Sequence, residues 1–144
     1  MSSSWLFWSL LSALFAGVTA ILAKVGVTGV DSNLATAVRT TVVLLFTWGI
    51  AFFTTKPGAL GSLAPRTWLF LGLSGLATGL SWLCYFRALQ LGEASQVAPI
   101  DKLSVVFVIV FAAVFLRETI TWQTAAGAVL ITAGALVLAW PSAR

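Results

Sequence analysis

The chain has 144 residues, 60% of them hydrophobic and 8% charged, with a formal net charge of +4, no histidine and one cysteine. A water-soluble domain carries roughly 25% charged residues, so a chain with this deficit and a mean hydropathy of +1.03 cannot cover a water-facing surface and belongs in lipid. The same counts exclude an intrachain disulfide, a histidine-based metal site and histidine general-base catalysis, and the small, dispersed charge argues against a nucleic-acid partner.

The first apolar window is 5–23. No basic residue precedes Trp5, the window is long for a signal sequence and more spans follow, so it reads as a span and not as a secretory leader. Its Ser9, Ser12, Ala16, Thr19 and Ala23 recur at helical spacing. Lys24–Asn33 leads to the second window, 34–53, where Asp31-Ser32 signals the start. Thr36, Arg39, Thr40 and Thr47 form a stripe along it. The longest connection, Thr54–Thr67, holds Lys56-Pro57-Gly58, Pro65 and Arg66.

The third window, 68–89, carries Ser74, Thr78, Ser81 and Tyr85 on one face with Trp82 beside them. Gly75 and Gly79 are a GxxxG pair suited to close helix packing. After Gln90–Gln96, with Ser95 as the expected cap, comes the fourth window, 97–116. Arg117–Thr121 follows, with Thr121 capping the fifth window, 122–140. That last window has no charge between Trp122 and Trp140 and sets Gly127 and Gly134 on one face for packing, against a copy of itself included. Trp5, Trp68, Trp122 and Trp140 stand at window ends as interface anchors.

Each window is about 19–22 residues, or roughly 30 Å as a helix, which is the thickness of a hydrocarbon core. Backbone groups in lipid must bond within their own segment. The expected fold is therefore an all-α integral membrane protein with five transmembrane helices in a single domain over 1–144, located in the cell membrane.

Charges inside the windows are the candidate functional residues. Asp101 and Lys102 together cost roughly 5–7 kcal/mol at the bilayer centre, which the apolar run from Leu103 to Leu116 about offsets. With Ser95 as cap, Asp101 lies roughly 9 Å into the membrane. Arg39 lies at nearly the same depth from the same side, and Arg87 about one turn from it. Arg39 or Arg87 is then the expected partner of Asp101, with Lys102 snorkelling. The pair either locks helices together or belongs to a substrate path or gate, since intramembrane charges mark pathways. Pro99 either bends an unbroken helix or marks where it restarts. The hydroxyl stripes face either an internal cavity or neighbouring helices, and Arg39 favours a cavity in the second span.

Five spans place the termini on opposite sides. The N-terminal side receives Lys56, Arg66 and Arg117. The other side receives Lys24 and Arg144, then Arg87, Arg39 and Lys102 if the embedded ones are counted. The positive-inside bias is weak, which admits insertion in both orientations or in one.

The runs YFRALQLGEASQVAP (85–99) and LRETITWQTAAGAVLITAGALVLAW (116–140) resemble the end of an EamA-type repeat of the drug/metabolite transporter superfamily. The matching residues are Ala88-Leu89, Gly92-Glu93-Ala94, Val97-Ala98, Leu116, Glu118, Thr121-Trp122, Gly127 and Gly134. The chain is one repeat long, similar to the small single-repeat branch. The resemblance implies that an antiparallel homodimer completes a ten-helix bundle. Two departures stand out. The family's deeper proline, near Ser104–Val105, is replaced by Pro99 with Asp101-Lys102, and Arg117 stands where glycine commonly precedes the glutamate. Helix 1 lacks the acidic residue that related small multidrug resistance proteins use.

The resulting expectation is a secondary transporter of a small polar or anionic metabolite, not an enzyme, working by alternating access and needing no cofactor or metal. Arg39, Asp101, Lys102, Arg87, Trp82 and Tyr85 are the candidate binding or gating residues. The alternative is a non-transporting structural subunit that pairs with a different five-helix chain.

Overall fold

The computed structural model describes residues 4–140, so Arg144 lies outside the described residues. The elements are α1 (Ser4–Gly26), α2 (Ser32–Thr54), a one-turn 3-10 helix (Ala59–Ser62), α3 (Pro65–Leu91), α4 (Ala94–Asp101), α5 (Ser104–Phe115) and α6 (Trp122–Ala139). Taking α4 and α5 as one interrupted span, five helical stretches are long and apolar enough to cross a membrane, in the five windows expected. Large apolar side chains cover the outside of these helices. Phe53 is 94% and Trp122 82% exposed, a surface that lipid accepts and water does not.

Two of the three expected caps form. Asp31 accepts from the backbone N–H groups of Asn33 and Leu34, both at 3.0 Å. The Thr121 hydroxyl accepts from the Thr124 N–H at 3.2 Å. The Ser95 cap does not form. The helix already starts at Ala94, with extended Glu93 at the cap position and no side-chain bond to it. The Glu93 carbonyl accepts from the Gln96 and Val97 N–H groups, which makes Ser95 part of the first turn.

The fourth span breaks one turn beyond Pro99. Proline has no N–H for the Ser95 carbonyl, which already weakens the ladder there. The chain then tightens, with Lys102 bonding back to Pro99, Leu103 to Ile100, Val105 to Lys102 and Val106 to Leu103. These three-residue steps are 3-10 geometry inside a span, the mark of strain or of a hinge. The helix therefore restarts at Ser104, beyond the charged pair.

At the end of α5 the chain turns through Arg117, whose φ of +56° is left-handed. The Glu118 N–H reaches back to the Ala112 carbonyl at 3.2 Å. This is how a helix ends on a residue that glycine suits best. A second turn follows α2. Pro57 and Gly58 are its central residues, Gly58 has φ +84° and ψ −6°, and the Ala59 N–H bonds to the Lys56 carbonyl at 3.2 Å. Proline followed by a glycine with positive φ makes a type II turn.

The chain forms two compact units. One joins residues 23–90 and the other joins the chain up to residue 22 with that from residue 91 onward. In the second unit α4 packs along α6, with α5 touching it further on. In the first unit the buried side chains gather where α1 ends, α2 begins and α3 ends. Val27 is 1% and Leu89 0% exposed, and Ala23, Ser32, Thr36 and Phe86 are buried with them.

Among the described residues, the four glycines expected to pack face open space in their own units. A Cβ added at Gly75, Gly79, Gly127 or Gly134 would meet nothing within 4 Å. Part of the hydroxyl stripes is spent locally, as is Thr132 outside them. Ser9, Thr36, Thr40, Thr47, Thr78 and Thr132 each donate to the carbonyl four residues back. A hydroxyl in lipid has no water to turn to, so its own helix satisfies it.

Candidate functional site

The first charged cluster lies within residues 23–90. On α2, Ser32, Thr36 and Arg39 share one face at spacings of four and three. On α3, Trp82, Phe86 and Leu89 do the same, with Tyr85 half-buried alongside. Arg39 is half-buried, and its guanidinium carbon lies 4.3 Å from the centre of the Trp82 ring and 5.6 Å from that of Phe86. The π-face supplies the negative potential that a desolvated cation needs. Within its unit the guanidinium has no hydrogen-bond acceptor or ion-pair partner beyond this aromatic contact.

Around this stack runs a set of polar ties. Lys24, at the end of α1, donates to the Leu89 carbonyl at 2.6 Å. That carbonyl belongs to the last turn of α3, where a cation also meets the negative end of the helix. Gln90 donates to the Val30 carbonyl in the α1–α2 connection, and Arg87 donates to the Gln90 side-chain oxygen at 2.9 Å. Arg87 thus braces Gln90, which in turn holds the α1–α2 connection.

The second cluster lies in the other unit. Lys102 and Asp101 form an ion pair at 3.3 Å, with side chains 58% and 36% exposed. Within its unit Asp101 is answered by the next residue in sequence, inside the 3-10 step. A pair within one turn ties no two helices together. Lys102, Pro99 and Val105 also line a groove of about 420 Å³, closed on the other side by Leu130, Gly134 and Leu138 of α6. Gly134 thus contributes to a groove wall.

Of the six candidate residues, the structure joins Arg39 with Trp82, and Asp101 with Lys102. Arg87 serves Gln90, and Tyr85 shares the face of the aromatic pair. Sequence reasoning missed Lys24, Phe86 and Gln90. A signal existed for two of them. Phe86 is four residues after Trp82, and Lys24 stands at a helix end in a chain with only eight basic residues. Among the described residues no group of three or more acids and cysteines could hold a metal ion.

Five helices long and apolar enough to cross a membrane define a multi-pass membrane protein. A model of the EamA-like transporter family matches residues 3–140, and the chain belongs to that family. It is 52% identical over 139 residues to an "Uncharacterized transporter in cobO 3'region" from a Sinorhizobium species, covering 96% of this chain and 99% of the relative. It is 39% identical over 84 residues to a "Probable 4-amino-4-deoxy-L-arabinose-phosphoundecaprenol flippase subunit ArnF" of Erwinia tasmaniensis, covering 56% of this chain and 63% of the relative. A 33% identity over 102 residues links it to "Uncharacterized transporter YvbV" of Bacillus subtilis, covering 71% of this chain and 33% of that longer protein. No solved structure gives a significant match.

Proposed function

We propose that the protein is a secondary transporter of a small polar or anionic solute, working by alternating access as an inverted homodimer of single repeats. The observation that carries this reading is Arg39. It lies over the Trp82 ring while its guanidinium meets no hydrogen-bond acceptor in its unit. A guanidinium held in that way is oriented but unpaired, and a carboxylate or phosphate is the group that fits its fork. Lys102 offers a second cation, with Asp101 as the counter-charge that a passing anion displaces. Arg87 acts through Gln90 on the mouth of the site. The 3-10 step between α4 and α5 is the hinge. Two copies in opposite orientation present one such cluster toward each face of the membrane, which is what alternating access requires.

The test begins with ligand-induced thermal shifts of the purified protein across small carboxylates, phosphates and neutral metabolites. Hits then go into counterflow assays in liposomes. Stabilisation by an anion that is lost in Arg39→Gln, together with lost counterflow, supports the assignment. Folded Arg39→Gln and Asp101→Asn variants that transport at the unaltered rate sink it.

A second reading has one specific observation behind it: the Erwinia relative is named as a subunit of a flippase. On that reading the chain pairs with a different five-helix protein and carries nothing alone. Purification separates the two. A stable homodimer active in vesicles removes the subunit reading, and an inactive chain that gains activity only with a partner removes the homodimer.

A further inference from the structure

Within residues 23–90, the chain folds back over the last turns of α2 and leaves a partly open cavity of about 570 Å³. Trp48, Ala51 and Phe52 form one wall, and Thr55, Lys56 and Leu60 the other side and rim. The Trp48 and Phe52 rings pack along the helix with centroids 5.9 Å apart, tilted by 42°. Above them the Pro57-Gly58 turn sets Lys56 at the end of the span, exposed and with no acceptor for its ammonium within its unit.

The volume is that of a small-molecule site and far exceeds what one inorganic anion fills. The chemistry is split along its length, apolar and aromatic toward the hydrocarbon and cationic at the surface. A free anion would use only the lysine, and an alkane only the aromatic wall. An amphiphile with an anionic head uses both, and the bilayer supplies one at high local concentration. We propose that this cavity binds one anionic phospholipid, with its phosphate against Lys56 and the start of an acyl chain along Trp48 and Phe52. The complementarity is of charge and of depth, since Lys56 follows directly on the end of a membrane span. A zwitterionic lipid also carries a phosphate but would bring a second cation to the lysine. The site is independent of the transport reading and uses none of its residues.

The test is photolabelling of the full chain, reconstituted in vesicles, by phosphatidylglycerol with a diazirine on its acyl chain. The same probe built on phosphatidylcholine is the comparison, and peptides covering residues 47–60 are quantified. Phosphatidylglycerol labels them about fivefold more, the factor one basic residue contributes at an anionic surface. Lys56→Gln brings the ratio to one and Lys56→Arg keeps it. Phe52→Ala lowers labelling by both probes. Lys56 and Phe52 are exposed, so helical content is expected to be unchanged in each variant, and circular dichroism checks this. Equal labelling of the native chain by the two probes, or a preference that survives Lys56→Gln, overturns the proposal. So does loss of the preference on adding millimolar inorganic phosphate, because the site would then be one for free anions.

Discussion

Arg39 of α2 lies over the indole of Trp82 of α3, 4.3 Å from guanidinium carbon to ring centre. In a membrane span this contact replaces the carboxylate that would neutralise the charge. It keeps the cation stable without cancelling it, because the ring's negative potential attracts the guanidinium while the ring carries no net charge. Desolvated cation–π pairs contribute about 2 kcal/mol. A double-mutant cycle with Arg39→Met and Trp82→Leu should therefore show a coupling of about 1–2 kcal/mol in detergent unfolding titrations. Trp82→Phe should retain part of it. Additivity within about 0.3 kcal/mol would mean that the stack contributes nothing.

The number and place of the spans were legible because lipid imposes one rule on every window, and the windows 5–23 to 122–140 obey it. The caps at Asp31 and Thr121 were legible for the same local reason. The partners were not. Depth alone offers Asp101 either Arg39 or Arg87, and depth says nothing about rotation around a helix axis. Arg39 found the Trp82–Phe86 face, and Asp101 found Lys102. The 3-10 step after Pro99 was also hidden, since proline marks a weakened ladder without saying which rung gives way. The Lys56-Pro57-Gly58 turn was readable from its residue types, and the departure from glycine at Arg117 marked a conformation that only the backbone angle made visible.

Lys24 ties the end of α1 to the end of α3 through the Leu89 carbonyl at 2.6 Å. A hydrogen bond from a charged donor contributes about 1.5–3 kcal/mol. Lys24→Met keeps the aliphatic stem and removes the donor, so it should destabilise the protein by roughly that amount. Amide exchange in the last turn of α3 should rise with it. Equal stability of Lys24→Met and the native chain would show that water or another donor serves Leu89 as well.

Arg117 holds a left-handed conformation, φ +56°, that costs a non-glycine residue about 1–2 kcal/mol. Arg117→Gly removes that strain and gives back part of it as extra freedom in the unfolded chain, about 0.5–1 kcal/mol. The expected net is a stabilisation of about 0.5–1 kcal/mol, measured as a rise in unfolding midpoint. Arg117→Ala, which loses the charge and keeps the strain, should not reproduce it. If alanine stabilises as much as glycine, the charge and not the backbone is the cause.

Pro99 withholds a donor just before the ladder tightens at Lys102 and Leu103. An interior proline costs a helix up to about 3 kcal/mol. Pro99→Ala should strengthen this stretch, slowing amide exchange at Lys102–Ser104 by roughly tenfold for each 1.4 kcal/mol regained. On the transport reading the same variant should bind its solute and move it slowly, because the hinge has stiffened. Unchanged exchange would place the origin of the 3-10 step in the Asp101-Lys102 pair.

The inverted homodimer makes a demand on insertion that a single chain can fail. On an alternating reading of the five spans, the connections on the N-terminal side carry Lys56, Arg66 and Arg117, and the α1–α2 connection on the other side carries Lys24, so the basic residues outside the spans are near balance. With the count so near balance, a cysteine introduced at Ser62 in a Cys84→Ser background should be half accessible to an impermeant maleimide from each side of the cell membrane. Because the balance is shallow, two further lysines, Ala59→Lys and Gly61→Lys, should draw that loop almost wholly to the cytoplasm. Thr28→Lys with Asn33→Lys should drive it outward. Mixing the two biased forms should then restore transport that neither shows alone. A native chain labelled from one side only would leave no oppositely oriented partner, and the antiparallel arrangement would have to be abandoned.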